Sequence, residues 1–227
     1  MMSAAVLFRN NENLVIPFFY FFRRNVGHKC GLAVVDNGSA DNTVELLKKN
    51  LNENEHLFCF PNNRGIAGGR NKLVEMKKQF YGEDGGLFLI DSDLFILQQD
   101  SLLNMFLLAN KQENVGIIYG KNFVEKGFSV GPYGFCFCYI KDEVLSKVGL
   151  FDERFKMFYD DTDFVKRTEE IAGYKVACCD NAVGIHICGQ TTQYSEGKAR
   201  RREIFEQDRK EFNAKWNVND DYKFVDI

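Results

Sequence analysis

Leu87-Phe88-Leu89-Ile90-Asp91-Ser92-Asp93 is a run of four apolar residues that ends in two carboxylates, one residue apart. A short apolar run bounded by turn residues predicts a buried strand of a parallel sheet. Open α/β sheets bind ligands in the crevice outside the carboxyl ends of their strands, which is where both aspartates fall. Side chains alternate along a strand, so Asp91 and Asp93 can face the same way and share one hard cation. The pair therefore points to a divalent metal holding a phosphorylated substrate. Asp-x-Asp alone is a common tripeptide, and its meaning rests on the segments around it.

Those segments alternate in type. Residues 4–8, 31–35 and 56–60 are strand-like, and residues 14–22, 43–49 and 66–79 have helical spacing. This is the pattern of βαβ units. Farther on, a helix is expected near 101–110, a strand at 115–119, a loop over 127–134, a strand at 135–140 and a short helix at 142–148 stopped by Gly149. The last third reads as an aromatic stretch over 151–159, a helix over 161–172 and strand or loop from 175 to His186. An amphipathic helix from Ala199 then carries Phe205, Phe212 and Trp216. The predicted class is α/β, with a Rossmann-like, mainly parallel central sheet flanked by helices. With 227 residues and no linker or repeat, a single domain is the simplest division.

Composition removes several function classes. The net charge of −3 carries no basic excess of the kind nucleic-acid binding requires. The seven cysteines include Cys136-Phe137-Cys138 and Cys178-Cys179 but no zinc-type C-x-x-C, so reduced thiols in a cytoplasmic protein are expected. No signal peptide is expected. The most apolar early stretch, residues 14–22, is interrupted by Pro17 and is too short to span a bilayer, so membrane contact would be peripheral at most.

Three further segments carry candidate chemistry. Asp36-Asn37-Gly38-Ser39 ends the second strand, a usual ligand-binding location, and Asp36 can accept from a base imide or a ribose hydroxyl. An ordinary turn explains it equally well. Asn63-Arg64-Gly65-Ile66-Ala67-Gly68-Gly69-Arg70 opens the next helix. Its glycines allow close backbone approach and Arg70 can reach a base or diphosphate, although it fits neither G-x-G-x-x-G nor a P-loop. Asp160-Asp161-Thr162-Asp163 crowds three carboxylates, and repulsion can raise one of them into the range of a proton acceptor. Helix capping is the plainer account. His186 sits in an apolar setting, where a satisfied core histidine is the ordinary case.

Taken in order, these segments resemble the inverting glycosyltransferases of family 2, with a rhamnosyltransferase-like branch among the candidates. Val34–Thr43 looks like that family's nucleotide-binding turn, Asn63-Arg64-Gly65 with Arg70-Asn71 like its next glycine-containing segment, and Ile90-Asp91-Ser92-Asp93 like its metal-binding Asp-x-Asp. Val148–Phe155 running on to Asp160–Asp163 resembles its acceptor-side acidic region, with Asp160 where glutamate is common. His186, followed by Gly189 and Thr191, resembles its late histidine, and Phe212–Trp216 resembles its final helix.

The resemblance implies a GT-A fold, with a nucleotide-binding part over about 1–100 and a smaller acceptor and catalytic part over about 101–227. It implies Asp161 as catalytic base and Asp36, Asn63, Gly65, Arg70 and Asp91 on the nucleotide. It further implies Asp91, Asp93 and His186 on Mn²⁺ or Mg²⁺, and Gly134, Asp160 and Asp163 on the acceptor side. The implied reaction moves a sugar from a UDP-, dTDP- or GDP-sugar, UDP preferred, to a hydroxyl of a glycan, lipid-linked or protein acceptor. Polysaccharide biosynthesis in the cytoplasm, at most at the inner face of the membrane, is the implied setting. Two alternatives remain at this level: a haloacid-dehalogenase-like Mg²⁺ phosphatase, and a non-catalytic sugar-nucleotide-binding module.

Overall fold

Alternation along one strand explains the layering. In the computed structural model, described for residues 1–26, 30–124, 127–129, 134–187 and 197–221, β1 (Ser3–Phe8) is buried at its centre. Ala4, Val6 and Phe8 enter one apolar layer and Ala5 the other. The first layer takes Phe18, Phe19 and Phe22 of α1 (Glu12–Val26), Leu47 of α2 (Thr43–Asn50), and Leu102 and Met105 of α4 (Ser101–Lys111). The second takes Leu73, Val74 and Met76 of α3 (Gly65–Tyr81), Val144 and Leu145 of α5 (Asp142–Val148), and Phe164 of α6 (Asp160–Glu170). Helices thus cover both faces of the sheet, as period-two burial on both sides demands. α3 packs so closely on β1 that a Cβ at Gly69 would lie 2.5 Å from Leu7 Cδ1.

The other strands are β2 (Gly31–Asp36), β3 (Glu55–Cys59), β4 (Leu87–Asp91), β5 (Leu94–Ile96), β6 (Val115–Val124), β7 (Gly127–Ser129), β8 (Phe137–Ile140) and β9 (Lys175–His186). Their spatial order is β3-β2-β1-β4-β8-β6-β9-β5, with β7 on β6. The first four are parallel, as the βαβ spacing predicts. Beyond β4 the sheet is mixed: β8 runs antiparallel to β4 and β6, while β6 and β9 are parallel. A last helix, α7 (Lys198–Trp216), follows.

The expected elements differ from these in a few places. α1 runs through Pro17 to Val26, longer than the expected 14–22. Part of the expected 127–134 loop is β7, while residues 130–133, like Gly189 and Thr191, lie outside the described residues. β5 is a strand that periodicity missed, because three residues are too few to show one. No helix among the described residues is long and apolar enough to cross a membrane.

Candidate active site

The carboxyl ends of β1, β2 and β4 open on a cleft lined by Phe8, Asn37, Asn63, Gly65, Arg70, Asp91, Asp93 and His186. β4 ends at Asp91, and the chain turns through Ser92 and Asp93 into β5. Ser92 is buried and accepts a hydrogen bond from Asn11 Nδ2 at 2.9 Å, anchoring the turn between the two aspartates. β5 then pairs antiparallel with β9, placing Leu94 opposite His186. The Ile187 N–H also donates to the Asp93 carbonyl at 2.9 Å. This pairing carries the histidine across the sheet. Its Nε2 lies 3.1 Å from Asp93 Oδ1 and 3.9 Å from Asp91 Oδ2.

These three residues offer ligand atoms within 4.8 Å of one another. Two ligands held at right angles about 2.1 Å from a small cation lie about 3 Å apart, so the Asp93–His186 separation suits an octahedral site. Oxygen and imidazole donors together suit Mn²⁺ or Mg²⁺, the imidazole favouring Mn²⁺. Burial lifts the Asp91 carboxyl to about 6, against the pull of Arg70, with Asp93 adding to the rise. A cation there would offset both the lost hydration and the repulsion.

Asp36 reaches the same end of the sheet but is turned into its own loop. It is buried, its Oδ2 accepts the Gly38 and Ser39 N–H groups at 3.1 and 3.0 Å, and Ser39 Oγ donates to its Oδ1. The adjacent Asn37, which the sequence reading did not single out, spans to the next loop. Its Nδ2 donates to the Gly65 carbonyl at 3.0 Å and its Oδ1 accepts from Arg64 N at 2.8 Å. Asn63 Oδ1 accepts the Gly65 N–H at 2.9 Å, and Gly65 takes a left-handed φ of +77°. Its missing side chain leaves room for the Lys156 carbonyl, 2.9 Å from where a Cβ would sit.

Arg70 is buried on α3 beneath this loop. Its Nη1 meets Asp160 Oδ2 at 2.6 Å and its Nη2 lies 3.8 Å from Asp91 Oδ1. The guanidinium also rests over the rings of Phe135 and Phe151. It therefore links Asp91 at the end of β4 to the start of α6. A second cavity opens here, lined by Arg70, Asp91, Asn122, Gly134, Cys136, Asp160, Asp161 and His186. Of these, Asn122 and Cys136 gave no local sequence signal.

The helical register separates the three crowded acids. Asp160 and Asp163 are buried, while Asp161 is half-buried on the cavity wall. Asp163 does not join the cleft. Its Oδ2 accepts from Arg167 Nε at 2.8 Å, and its Oδ1 from Trp216 Nε1 at 2.9 Å and Lys215 Nζ at 2.6 Å. Its expected acceptor-side position gives way to a tie between α6 and α7.

Burial lifts the Asp160 carboxyl to about 7 despite Arg70, with Asp161 and Asp91 adding to the rise. The folded chain then holds this proton more tightly than the unfolded chain does. Stability from this group is complete below the ordinary value of 3.8 and is lost as pH rises toward about 7. In chelator, thermal stability should fall as pH rises, and Asp160→Asn should flatten that slope. A melting series from about pH 5 to 8 with the same slope in both proteins would remove Asp160 as its source.

A family model described as glycosyl transferase family 2 matches residues 3–163. No curated protein sequence matches the chain. Among solved structures, the S. aureus TarS 1–349 fragment is 16% identical with a TM-score of 0.64, over 94% of this chain and 72% of its own. The same fragment in complex with UDP gives 0.65. A mannosyltransferase from Pyrobaculum calidifontis, PcManGT, in complex with GDP-Man and Mn²⁺, is 16% identical with a TM-score of 0.69, over 96% of this chain and 65% of its own. The chain thus spans just under two thirds of that mannosyltransferase, and at this identity the likeness concerns fold.

Proposed function

The chain belongs to glycosyl transferase family 2 and has the GT-A fold, and from that premise we propose that it is a metal-dependent, inverting enzyme that moves a sugar from a nucleotide diphosphate to an acceptor hydroxyl. One observation carries the reading: Asp91, Asp93 and His186 meet with Arg70 at one cleft, and Asp91, His186 and Arg70 also line the adjoining cavity that holds Asp161. A leaving nucleotide diphosphate develops charge as the glycosidic bond breaks, and a divalent ion held by those three residues would neutralise it. Asn37, Asn63 and Gly65 line the donor side, with Asp36 shaping the turn from behind. Arg70 stands between donor and base, where its charge holds Asp91 and Asp160 in register.

Asp161 takes the proton of the acceptor hydroxyl, whose oxygen attacks the anomeric carbon from the face opposite the leaving group. One such displacement inverts the anomeric configuration. Gly134 and Asp160 sit on the acceptor side of the same cavity. UDP is the preferred donor base by family analogy, with dTDP and GDP next, and the acceptor is a glycan, a lipid-linked glycan or a protein. The site of action is cytoplasmic, with membrane contact at most peripheral.

The phosphatase alternative gives way to the family match. The aspartate pair also follows the fourth strand rather than the first. A binding module without turnover is the remaining rival, and one screen separates the readings. Melting temperature is measured with UDP, dTDP and GDP, each with Mn²⁺, Mg²⁺ or chelator, since ligands that bind only the folded state raise its stability. A rise that needs both metal and one nucleotide supports the transferase and names its base. No rise with any pair would overturn the proposal, and a rise without transfer to any acceptor would favour the binding module.

A further inference from the structure

Asp208 lies on α7, beyond residue 163 where the family match ends. It is fully buried. Its carboxylate accepts the backbone N–H groups of three consecutive residues, Lys156 at 3.0 Å, Met157 at 2.9 Å and Phe158 at 2.9 Å. A buried carboxylate is costly unless its oxygens are hydrogen-bonded, and three convergent amides supply that. The contact is therefore mutual. The amides hold the charge, and the charge holds the loop.

That loop leads directly to the acids of α6. Phe158 packs edge-on against Phe205 with ring centroids 5.3 Å apart. Tyr159 then takes a left-handed φ of +64°, an uncommon geometry for a tyrosine, immediately before Asp160 and Asp161. Its ring lies against Phe212 and its hydroxyl donates to Asp220 at 2.6 Å. On the other side, the Lys156 carbonyl accepts the Ile66 N–H at 2.9 Å. The donor loop has further ties through Asn37 and Asn63, while the 156–158 backbone is held chiefly by α7, beside its one bond to Ile66.

We propose that Asp208 is a positioning residue, which clamps the 156–158 backbone to α7 and so sets the angle at which Asp161 meets the acceptor. The kinetic half of this rests on the transferase reading, and the structural half does not. Asp208→Asn keeps the size but loses the charge: its oxygen can stand where Oδ2 meets all three amides, more weakly without the charge, and its N–H₂ then faces the Lys156 N–H that Oδ1 accepts at 3.2 Å. In hydrogen exchange, the amides of 156–158 should exchange about tenfold faster or more, while those of β1, β2 and β4 keep their protection. kcat should fall roughly 10- to 100-fold, because a misplaced reacting group costs about that much. Affinity for UDP, dTDP or GDP with Mn²⁺ should fall by less than kcat does, since Asn37 and Asn63 still hold the donor loop when the 156–158 backbone loosens.

Asp208→Glu keeps the carboxylate and should recover part of both effects, and it serves as the test variant if the asparagine form does not fold. A merely destabilised chain would instead lose protection across the whole sheet. Unchanged exchange at 156–158 would overturn the clamp. Faster exchange with kcat within about twofold would overturn the positioning role. Wild-type protein that turns over no nucleotide sugar would remove the transferase reading and the kinetic half with it, and exchange alone would then decide the clamp.

Discussion

Replacing Asp161 with asparagine should slow glycosyl transfer by roughly a thousandfold while leaving metal-dependent nucleotide binding nearly intact. The magnitude is that of a positioned general base, about 10²- to 10⁴-fold. Asparagine has the same shape but no lone pair basic enough to take the acceptor proton. The geometry makes the change a clean one. Asp161 is half-buried at the N-terminus of α6, its Oδ1 accepts the Thr162 N–H at 2.6 Å, and no hydrogen bond among the described residues engages its Oδ2. An amide can keep the Thr162 contact through its own oxygen, so the helix start should persist. Single-turnover transfer, set beside calorimetric nucleotide affinity, separates the two effects. Turnover equal to that of the parent protein would strike Asp161 from the mechanism.

The second large effect is expected at the aspartate pair. Asp93→Ala should weaken nucleotide binding in Mn²⁺ by about 100-fold or more, since even residues that only support a metal ligand are worth 10- to 100-fold. Asp93 is buried, and its removal leaves the His186 Nε2 facing Asp91 Oδ2 across 3.9 Å. The backbone should hold, because the Asp93 carbonyl keeps its bond from Ile187 N. His186→Ala should cost less, as it removes a neutral donor rather than a charge. Affinity of the parent protein that is the same in Mn²⁺ and in chelator would defeat the metal assignment for all three residues.

How much of this was legible in the chain depends on how local each signal is. Asp91 and Asp93 are readable because an apolar run and its polar stop are contiguous, and the parallel half of the sheet follows from strand and helix spacing. His186 is another matter. Nothing in its neighbours indicates that it meets Asp93. The contact is made by β5, which is too short to announce itself, so only the resemblance to a family pointed there. The three acids of 160–163 look equivalent in sequence, and helical periodicity alone puts Asp160 and Asp163 on a buried side and Asp161 on the cavity wall. Asp36 was readable as a turn residue, but its inward orientation was not, since a short acid can serve its own loop or a ligand equally well. Asp208 was invisible because one acid on a densely charged helix looks like solvent-facing decoration.

The pairing of β5 with β9 has a consequence for the order of events in the life of the chain. Asp93 and His186 are 93 positions apart, and they become neighbours only when β9 docks. A chain made from its N-terminus can assemble the parallel strands β1 to β4 early, since their contacts are closer in sequence and domains tend to fold as they emerge. It cannot assemble the ion-binding corner then. On the proposed reading, the residues that would hold a nucleotide can be in place during synthesis before the histidine that would complete the metal site. His186 arrives with the last strand, and the helix that clamps the turn into Asp161 arrives after it.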